Sequence, residues 1–291
     1  MKPAPFEYAR PASLDEACAL LESDDGARLI AGGQTLVPLM AMRLARPTKL
    51  IDIARIPGLA YVRDEGDAIV IGATTKQHVV ERDPVVRTKL PLLAKVMPFV
   101  GHGATRARGT VGGSLANGDA AAEIVLVAAT LGATLTWREG GQDIEMVAGD
   151  FFLGPMVTAL PITGCLSSVR FPVWAEPRTG VGFHEVNARQ SDFAFVSAAA
   201  QVAIDPDGRC ERAAIGIGGA AAVPLRLDTV SAVMQGKPFE EANVRDAVTA
   251  ALADVDMLDD LHASAHYRRR VAVTVAMRAI DDALADAARR A

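Results

Sequence analysis

No stretch of about 18 consecutive apolar residues occurs anywhere in the chain, which excludes a membrane-spanning helix. The opening Met1-Lys2-Pro3-Ala4-Pro5-Phe6 lacks the apolar core of a secretion signal, so the protein is expected in the cytoplasm. Basic residues do not outnumber acidic ones. The net charge of −5 leaves no positive face on which DNA or RNA would be held. Cysteine is scarce: Cys18, Cys165 and Cys210 lie far apart with no C-x-x-C spacing. That excludes a zinc site or an iron–sulfur cluster built from this chain alone, and the thiols are expected to be buried. The histidines His78, His102, His184, His262 and His266 show no ligand spacing with cysteine. His262 and His266 are i, i+4, but no glutamate adjoins the first and no third ligand follows, so no metal site is assigned. No Ser-His-Asp grouping is present either, and no catalytic residue is assigned.

Glycine, by contrast, is concentrated where it matters. Ala31-Gly32-Gly33-Gln34-Thr35 and Gly109-Thr110-Val111-Gly112-Gly113-Ser114 each set a Gly-Gly pair beside a hydroxyl residue and before an apolar stretch. Without a Cβ, consecutive N–H groups can turn toward an anion, at about 0.5–1 kcal/mol per glycine of extra ordering cost relative to alanine. Two such loops can hold the two phosphates of a dinucleotide. Neither fits the Rossmann fingerprint or the P-loop, which need G-x-G-x-x-G or a Lys-Ser/Thr after the last glycine. A single pair of this kind is more often a tight turn. Finding two together shifts the balance toward a ligand.

At 291 residues, half of them apolar, the chain is globular and long enough for two or three domains. Apolar spacing predicts a helix over 14–21 capped by Ser13, and a short strand over 28–31 that runs into the first glycine loop. A helix over 36–44 and a strand over 49–53 follow. A strand over 68–73, helices over 77–82 and 91–100, and an apolar helix over 120–131 flank the second loop. Strands are expected over 133–137, 144–147 and 165–170. The two prolines of 171–180 mark a connector. Beyond it, strands over 182–186, 193–204 and 212–217, with a turn at Asp205-Pro206-Asp207-Gly208, read as a small antiparallel sheet, followed by helices over 240–253 and 267–287. The class is α+β, without regular βαβ alternation.

Several segments together resemble the FAD-binding medium subunit of the molybdenum hydroxylases, the group of xanthine dehydrogenase, carbon monoxide dehydrogenase and quinoline oxidoreductase. They are Ile30 to Met40, Lys49 to Ile53, Arg108 to Ala116, Asp150 to Gly154, Ser191 to Ala194, and Leu261 to Arg269. The resemblance covers nearly the whole chain. It implies a two-part FAD-binding domain of the vanillyl-alcohol-oxidase-like (PCMH) type over 1–176, with subdomains of about 1–56 and 57–176. A C-terminal flavoprotein domain over 177–291 then carries a three-stranded antiparallel sheet and helices.

By the same resemblance Ala31, Gly32, Gly33, Gln34, Thr35 and Leu36 wrap one part of the FAD pyrophosphate, and Thr110, Val111, Gly112, Gly113 and Ser114 hold the other. Asp119 and Glu123 accept from ribose hydroxyls; a carboxylate aligned with Glu123 lies at the FAD in the xanthine dehydrogenase branch. The plain alternative for both is favourable charge at a helix N-terminus. Val100 aligns with an aromatic that packs on the isoalloxazine in that branch. Leu160 and Leu166 are candidates for apolar cover of the flavin.

Departures are also visible. Gln34 replaces a histidine frequent in the carbon monoxide enzymes, which leans toward an organic substrate such as an N-heteroaromatic. Thr105-Arg106-Ala107-Arg108-Gly109 and Asn117-Gly118-Asp119-Ala120 depart from the family's usual runs, and His184 stands where the xanthine dehydrogenase branch has a flavin-contacting lysine.

The implied role is electron transfer. A large subunit would carry the molybdenum–molybdopterin centre and hydroxylate substrate, and a small subunit would carry two [2Fe-2S] clusters. Electrons would pass through FAD here to an external acceptor, in a dimer of heterotrimers. Alternative readings are a carbon monoxide dehydrogenase subunit, an independent flavin oxidoreductase using Cys165 or His102, or a scaffold that has lost the cofactor.

Overall fold

The computed structural model describes residues 2–290. The first strand β1 (Glu7–Ala9) leads into α1 (Leu14–Glu22), where Ser13 Oγ accepts from the Glu16 amide as the expected N-cap. β2 (Arg28–Ile30) ends at the first glycine loop, α2 (Leu36–Ala41) follows it, and β3 (Lys49–Asp52) closes a parallel sheet in the order β1-β3-β2.

A second sheet begins with β4 (Val62–Asp64) and β5 (Ala68–Gly72). The chain then runs through α3 (Gln77–Arg82), α4 (Pro84–Lys89), α5 (Pro91–Val96), a 3-10 turn at Met97–Phe99 and α6 (Gly103–Arg108). Next come α7 (Val111–Asn117) and α8 (Glu123–Leu131). β6 (Thr134–Glu139), β7 (Gln142–Val147), α9 (Ala148–Phe151), the β8–β9 hairpin (Phe152–Gly154, Val157–Thr158) and β10 (Cys165–Pro172) complete this part, whose antiparallel sheet has the order β4-β5-β10-β6-β7.

The C-terminal part holds β11 (Thr179–Val186), β12 (Val196–Ile204) and β13 (Cys210–Gly218), the three strands expected, with a fourth, β14 (Leu225–Arg226), on the edge. A two-residue strand is too short to leave a periodic signal. Helices α10 (Asp228–Met234), α11 (Glu241–Ala251) and α12 (Ala265–Arg289) finish the chain. No helix among the described residues is long and apolar enough to cross a membrane.

Three further points differ from the sequence reading. The second glycine segment is the first turn of α7, because Thr110 Oγ1 accepts from the Gly113 amide and caps a helix. β10 runs on through Phe171 and Pro172 and β11 starts at Thr179, narrowing the connector to 173–178. α12 starts at Ala265, so His262 precedes the helix that holds His266 and stacks on Phe195 instead, ring centroids 5.9 Å apart.

The two sides of the molecule share a core. Every residue of α8 is buried, as an all-round apolar helix requires. Val181, Phe183 and Ala199 of the C-terminal sheet join its cluster with Leu115, Leu126, Phe151 and Phe171. On the other face of that sheet Ala198, Ala200 and Val202 pack against α12 through Ala272, Ala276 and Ala279. Helix and strand approach so closely that a Cβ on Gly182 would fall 1.8 Å from the Ala279 carbonyl oxygen, which explains a glycine inside a buried strand. Cys18, Cys165 and Cys210 are free and buried, as expected.

Candidate functional site

Both glycine segments converge although 76 residues further along the chain separate Arg108 from Gly32 only in sequence: a Cβ on Gly32 would sit 2.6 Å from the Arg108 carbonyl oxygen. The first segment is a true loop. Gly33 has φ +68, which a side chain rarely tolerates. Among the described residues, the amides of Gly32, Gly33, Gln34 and Thr35 have no protein acceptor. Such consecutive unpaired N–H groups on a turn form an anion-binding concavity. Gln34 and Thr35 are exposed, Leu36 and Ala31 half-buried, and Gln34 Nε2 donates to the Gly32 carbonyl at 3.2 Å, tying the loop to itself.

The second segment offers something different. Its amides are already spent: Val111 donates to the Thr75 carbonyl at 3.0 Å, Gly112 to Ala73 at 2.9 Å, Gly113 to Thr110 Oγ1 at 3.1 Å and Ser114 to the Thr110 carbonyl at 3.2 Å. What remains for a ligand is the Thr110 amide and a hydroxyl. Ser114 Oγ accepts from Gln77 Nε2 at 3.0 Å, which leaves its own hydrogen to donate outward. Gly112 serves packing, since a Cβ there would lie 2.5 Å from the Ala73 Cβ. Gly113 is exposed, and its Cβ would meet only Thr110.

Residues from a third element fix the second segment. Lys76 Nζ donates to the Arg108 carbonyl at 2.9 Å, the same oxygen against which Gly32 packs, and burial lowers its pKa. Neither Lys76 nor Gln77 was visible as a site residue in the sequence. The one available signal was their place after the strand β5, where the chain turns back toward the loops.

Arg106 braces the next stretch. Its guanidinium pairs with Glu81 at 2.9 Å and donates to the Val100 and Gly101 carbonyls at 3.2 and 2.9 Å. Val100 is buried, while the neighbouring Phe99 is partly exposed and meets Phe183 edge-on at 4.9 Å. His102 is exposed. Asp119 Oδ1 accepts from the Ala121 amide at 2.9 Å and so shapes the entry to α8. Glu123 opens α8 and is only 7% exposed; burial pushes its carboxyl up to about 7, with Glu185 and Asp119 adding to the shift and Arg106 opposing it. Leu160 is half-buried beyond the β8–β9 hairpin, and Leu166 lies in the main core. His184 turns away from this side, its Nε2 3.1 Å from Asp282 Oδ2 on α12. Cys165 is fully buried, and burial pushes its thiol up to about 12, so it presents no thiolate for bonding to a flavin. A cleft of about 420 Å³ bordered by Arg87, Lys95, Asp282 and Arg289 contains none of these loop residues.

Free amides on one loop, the Ser114 hydroxyl on the other and a lysine beside them can hold a dinucleotide diphosphate, and comparisons with known proteins show the class of protein. The "FAD binding domain in molybdopterin dehydrogenase" family matches residues 4–174, and the "CO dehydrogenase flavoprotein C-terminal domain" family matches residues 182–283. The nicotine 6-hydroxylase medium subunit of Paenarthrobacter nicotinovorans is 34% identical, over 97% of this chain and 99% of its own length. The carbon monoxide dehydrogenase medium chain of Afipia carboxidovorans is also 34% identical, over 99% of each. Among solved structures, quinoline 2-oxidoreductase from Pseudomonas putida superposes with a TM-score of 0.92 at 34% identity, covering 99% of both chains. The site and fold thus define a flavoprotein subunit of a redox enzyme. The chain belongs to the family of FAD-binding medium subunits of the molybdenum-containing dehydrogenases.

Proposed function

We propose that this chain is the electron-transferring FAD subunit of a heteromeric molybdenum hydroxylase. A large partner would carry the molybdenum–pterin centre and hydroxylate an organic substrate, and a small partner would supply electrons from [2Fe-2S] clusters. Bound flavin supplies the ability to exchange electrons singly or in pairs. The protein's own part is to bind, orient and tune it.

The observation that carries the reading is the set of unpaired amides at Gly32, Gly33, Gln34 and Thr35 on a loop that packs against the second segment. An N–H donating to a charged phosphate oxygen contributes roughly 1.5–3 kcal/mol, so a few suffice without an arginine clamp. Ser114 adds a hydroxyl donor, and Lys76 supplies a cation at the junction. Asp119 and Glu123 lie where the second segment ends, and we assign them to the polar groups of the cofactor beyond the diphosphate. Val100, Leu160 and Leu166 are assigned to its apolar surround, and Ala31, Leu36, Val111, Gly112 and Gly113 to the backbone frame.

Relatives named for nicotine, quinoline and carbon monoxide leave the substrate class to the partner chain; Gln34 favours an organic one. We further read the chain as two domains, 1–176 and 177–291, in a dimer of heterotrimers acting in the cytoplasm. Purification through a tag on this chain, with an absorption spectrum and a gel, tests the proposal. Flavin bands with iron–sulfur absorption and two co-purifying subunits are expected. Flavin on a solitary chain would overturn the heteromeric reading, and no chromophore would overturn the cofactor role.

A further inference from the structure

The Ser114 hydroxyl on α7 has one protein partner among the described residues, and that partner donates to it. Gln77, the first residue of α3, places its Nε2 3.0 Å from Ser114 Oγ. One lone pair of the hydroxyl is thereby filled and its hydrogen is left free. A helical serine otherwise tends to turn that hydrogen back onto the carbonyl four residues earlier. For Ser114 this carbonyl is that of Thr110, and among the described residues the hydroxyl does not donate to it.

The Gln77 carboxamide is held where it lies. Gln77 is only 4% exposed, and its backbone amide donates to the Gly109 carbonyl at 3.0 Å. A Cβ on Gly109 would fall on Gln77 Oε1, with Cδ at 2.7 Å and Nε2 at 3.1 Å, so the atoms nearest to the bare Cα all belong to this carboxamide. Gly109 is glycine because Gln77 rests on it. Gln77 Oε1 is buried with no partner, the neighbouring Gly109 amide being taken by the Thr105 carbonyl at 2.7 Å. A buried acceptor left empty calls for a compensating gain. Turning the carboxamide over would let Oε1 take the Ser114 hydrogen, but the hydroxyl would then offer a phosphate only lone pairs. In the orientation adopted, amide, hydroxyl and anion can form a chain in which each donor strengthens the next.

We propose that Gln77 is a positioning residue of the cofactor site: seated on Gly109, it fixes the Ser114 hydroxyl as a donor toward the FAD diphosphate and so carries part of the affinity for FAD. This rests on the placement of the diphosphate argued above. Gln77 itself acts through Ser114 and has no contact of its own with the cofactor.

The test is a fluorescence titration of FAD into the cofactor-depleted full chain, in wild type, Q77L, G109A, S114A, Q77L/S114A and G109A/S114A, with the ³¹P resonances of bound FAD recorded at saturation. S114A is expected to weaken binding about tenfold, as losing one hydrogen bond to a charged oxygen does. Q77L removes the donor at similar volume, and G109A displaces the carboxamide with a methyl; each should weaken binding by about three- to tenfold. In the S114A background neither should weaken it further by more than about twofold, because the group through which Gln77 acts is gone. Q77L should also shift a diphosphate resonance in the same direction as S114A. Wild-type affinity in Q77L while S114A binds weakly overturns the positioning role and leaves the diphosphate where it was placed. Losses that multiply in Q77L/S114A overturn it too, since a side chain that merely braces α3 against α7 acts whether or not the hydroxyl is there. Should Q77L not fold, G109A and G109A/S114A decide by the same comparison. Wild-type affinity in S114A takes the diphosphate away from the second segment, and the role of Gln77 falls with that placement.

Discussion

Gly32 lies on the backbone of Arg108 so closely that a Cβ at Gly32 would be 2.6 Å from the Arg108 carbonyl oxygen and 2.9 Å from the Gly109 Cα. Neither contact is the tip of a flexible side chain, so an added methyl must push the two segments apart. G32A is therefore expected to lower flavin content per chain at least tenfold, read from the absorbance of the purified protein. Full occupancy in G32A would mean that the junction is not where the diphosphate sits.

The glycines of the second segment separate into two kinds. G112A drives a Cβ into Ala73 at 2.5 Å and is expected to lower the melting temperature along with flavin content, because strand β5 would have to move. G113A displaces only the Thr110 hydroxyl at 2.6 Å, so it should weaken the cap by about 1 kcal/mol while the core stays intact. A combined G112A/G113A variant cannot distinguish cofactor loss from unfolding. The single changes, each followed by thermal melting and flavin titration, can.

Lys76 is the cation at the junction. Its ammonium is held on the Arg108 carbonyl, and the cost of burying it falls when an anion arrives. K76M is expected to weaken FAD binding to the cofactor-depleted chain by about tenfold, in line with losing a charged hydrogen bond of roughly 1.5 kcal/mol. The salt dependence of binding should flatten with it. Fluorescence titration at two ionic strengths measures both, and an unchanged dissociation constant would remove Lys76 from the site.

Arg268 explains a motif whose chemistry the sequence did not disclose. It is 3% exposed, and its guanidinium donates to the Gly219 carbonyl at 2.7 Å, to the Phe195 carbonyl and to Asp260 Oδ2 at 2.7 Å. The segment around Leu261 to Arg269 thus ties the start of α12 to the ends of β12 and β13. R268M should leave two carbonyls without their donor, while Asp260 keeps its amide donors and solvent, and cost about 2–3 kcal/mol of stability. Chemical denaturation checks this. A loss below about 1 kcal/mol would show that the network carries little of the fold.

The sequence carried the local features and missed those assembled from distant segments. Ser13 as a cap, the apolar run of α8 and the loop at Gly32-Gly33 are short-range signals, and each appears where spacing and composition put it. Thr110 with Gly113 three residues on is also a capping pattern, but the neighbouring glycines disguised a helix as a loop. Lys76 and Gln77 reach the second glycine segment only through tertiary structure, from the start of α3. Apart from their place after β5, their local sequence does not mark them, because an isolated polar residue at the edge of an apolar strand looks the same whether it ends in solvent or against a ligand.

The raised carboxyl of Glu123 makes a prediction about stability and its sign. Unfolded, the group titrates near 4.5; folded, it titrates at about 7. Between those values the folded state holds more proton than the unfolded chain, so its contribution is intact below about pH 4.5 and is lost as pH rises through 7. One pH unit corresponds to ~1.4 kcal/mol, and relaxation around the ionised carboxylate reduces the realised effect. The cofactor-depleted chain should therefore lose on the order of 1–2 kcal/mol between pH 5 and 8 from this group, and E123Q should remove that part of the slope while raising stability at pH 8. Urea denaturation across this range tests it. A wild-type slope that E123Q leaves unchanged would mean that Glu123 ionises in the fold as readily as in the unfolded chain, and that the seam around it admits water.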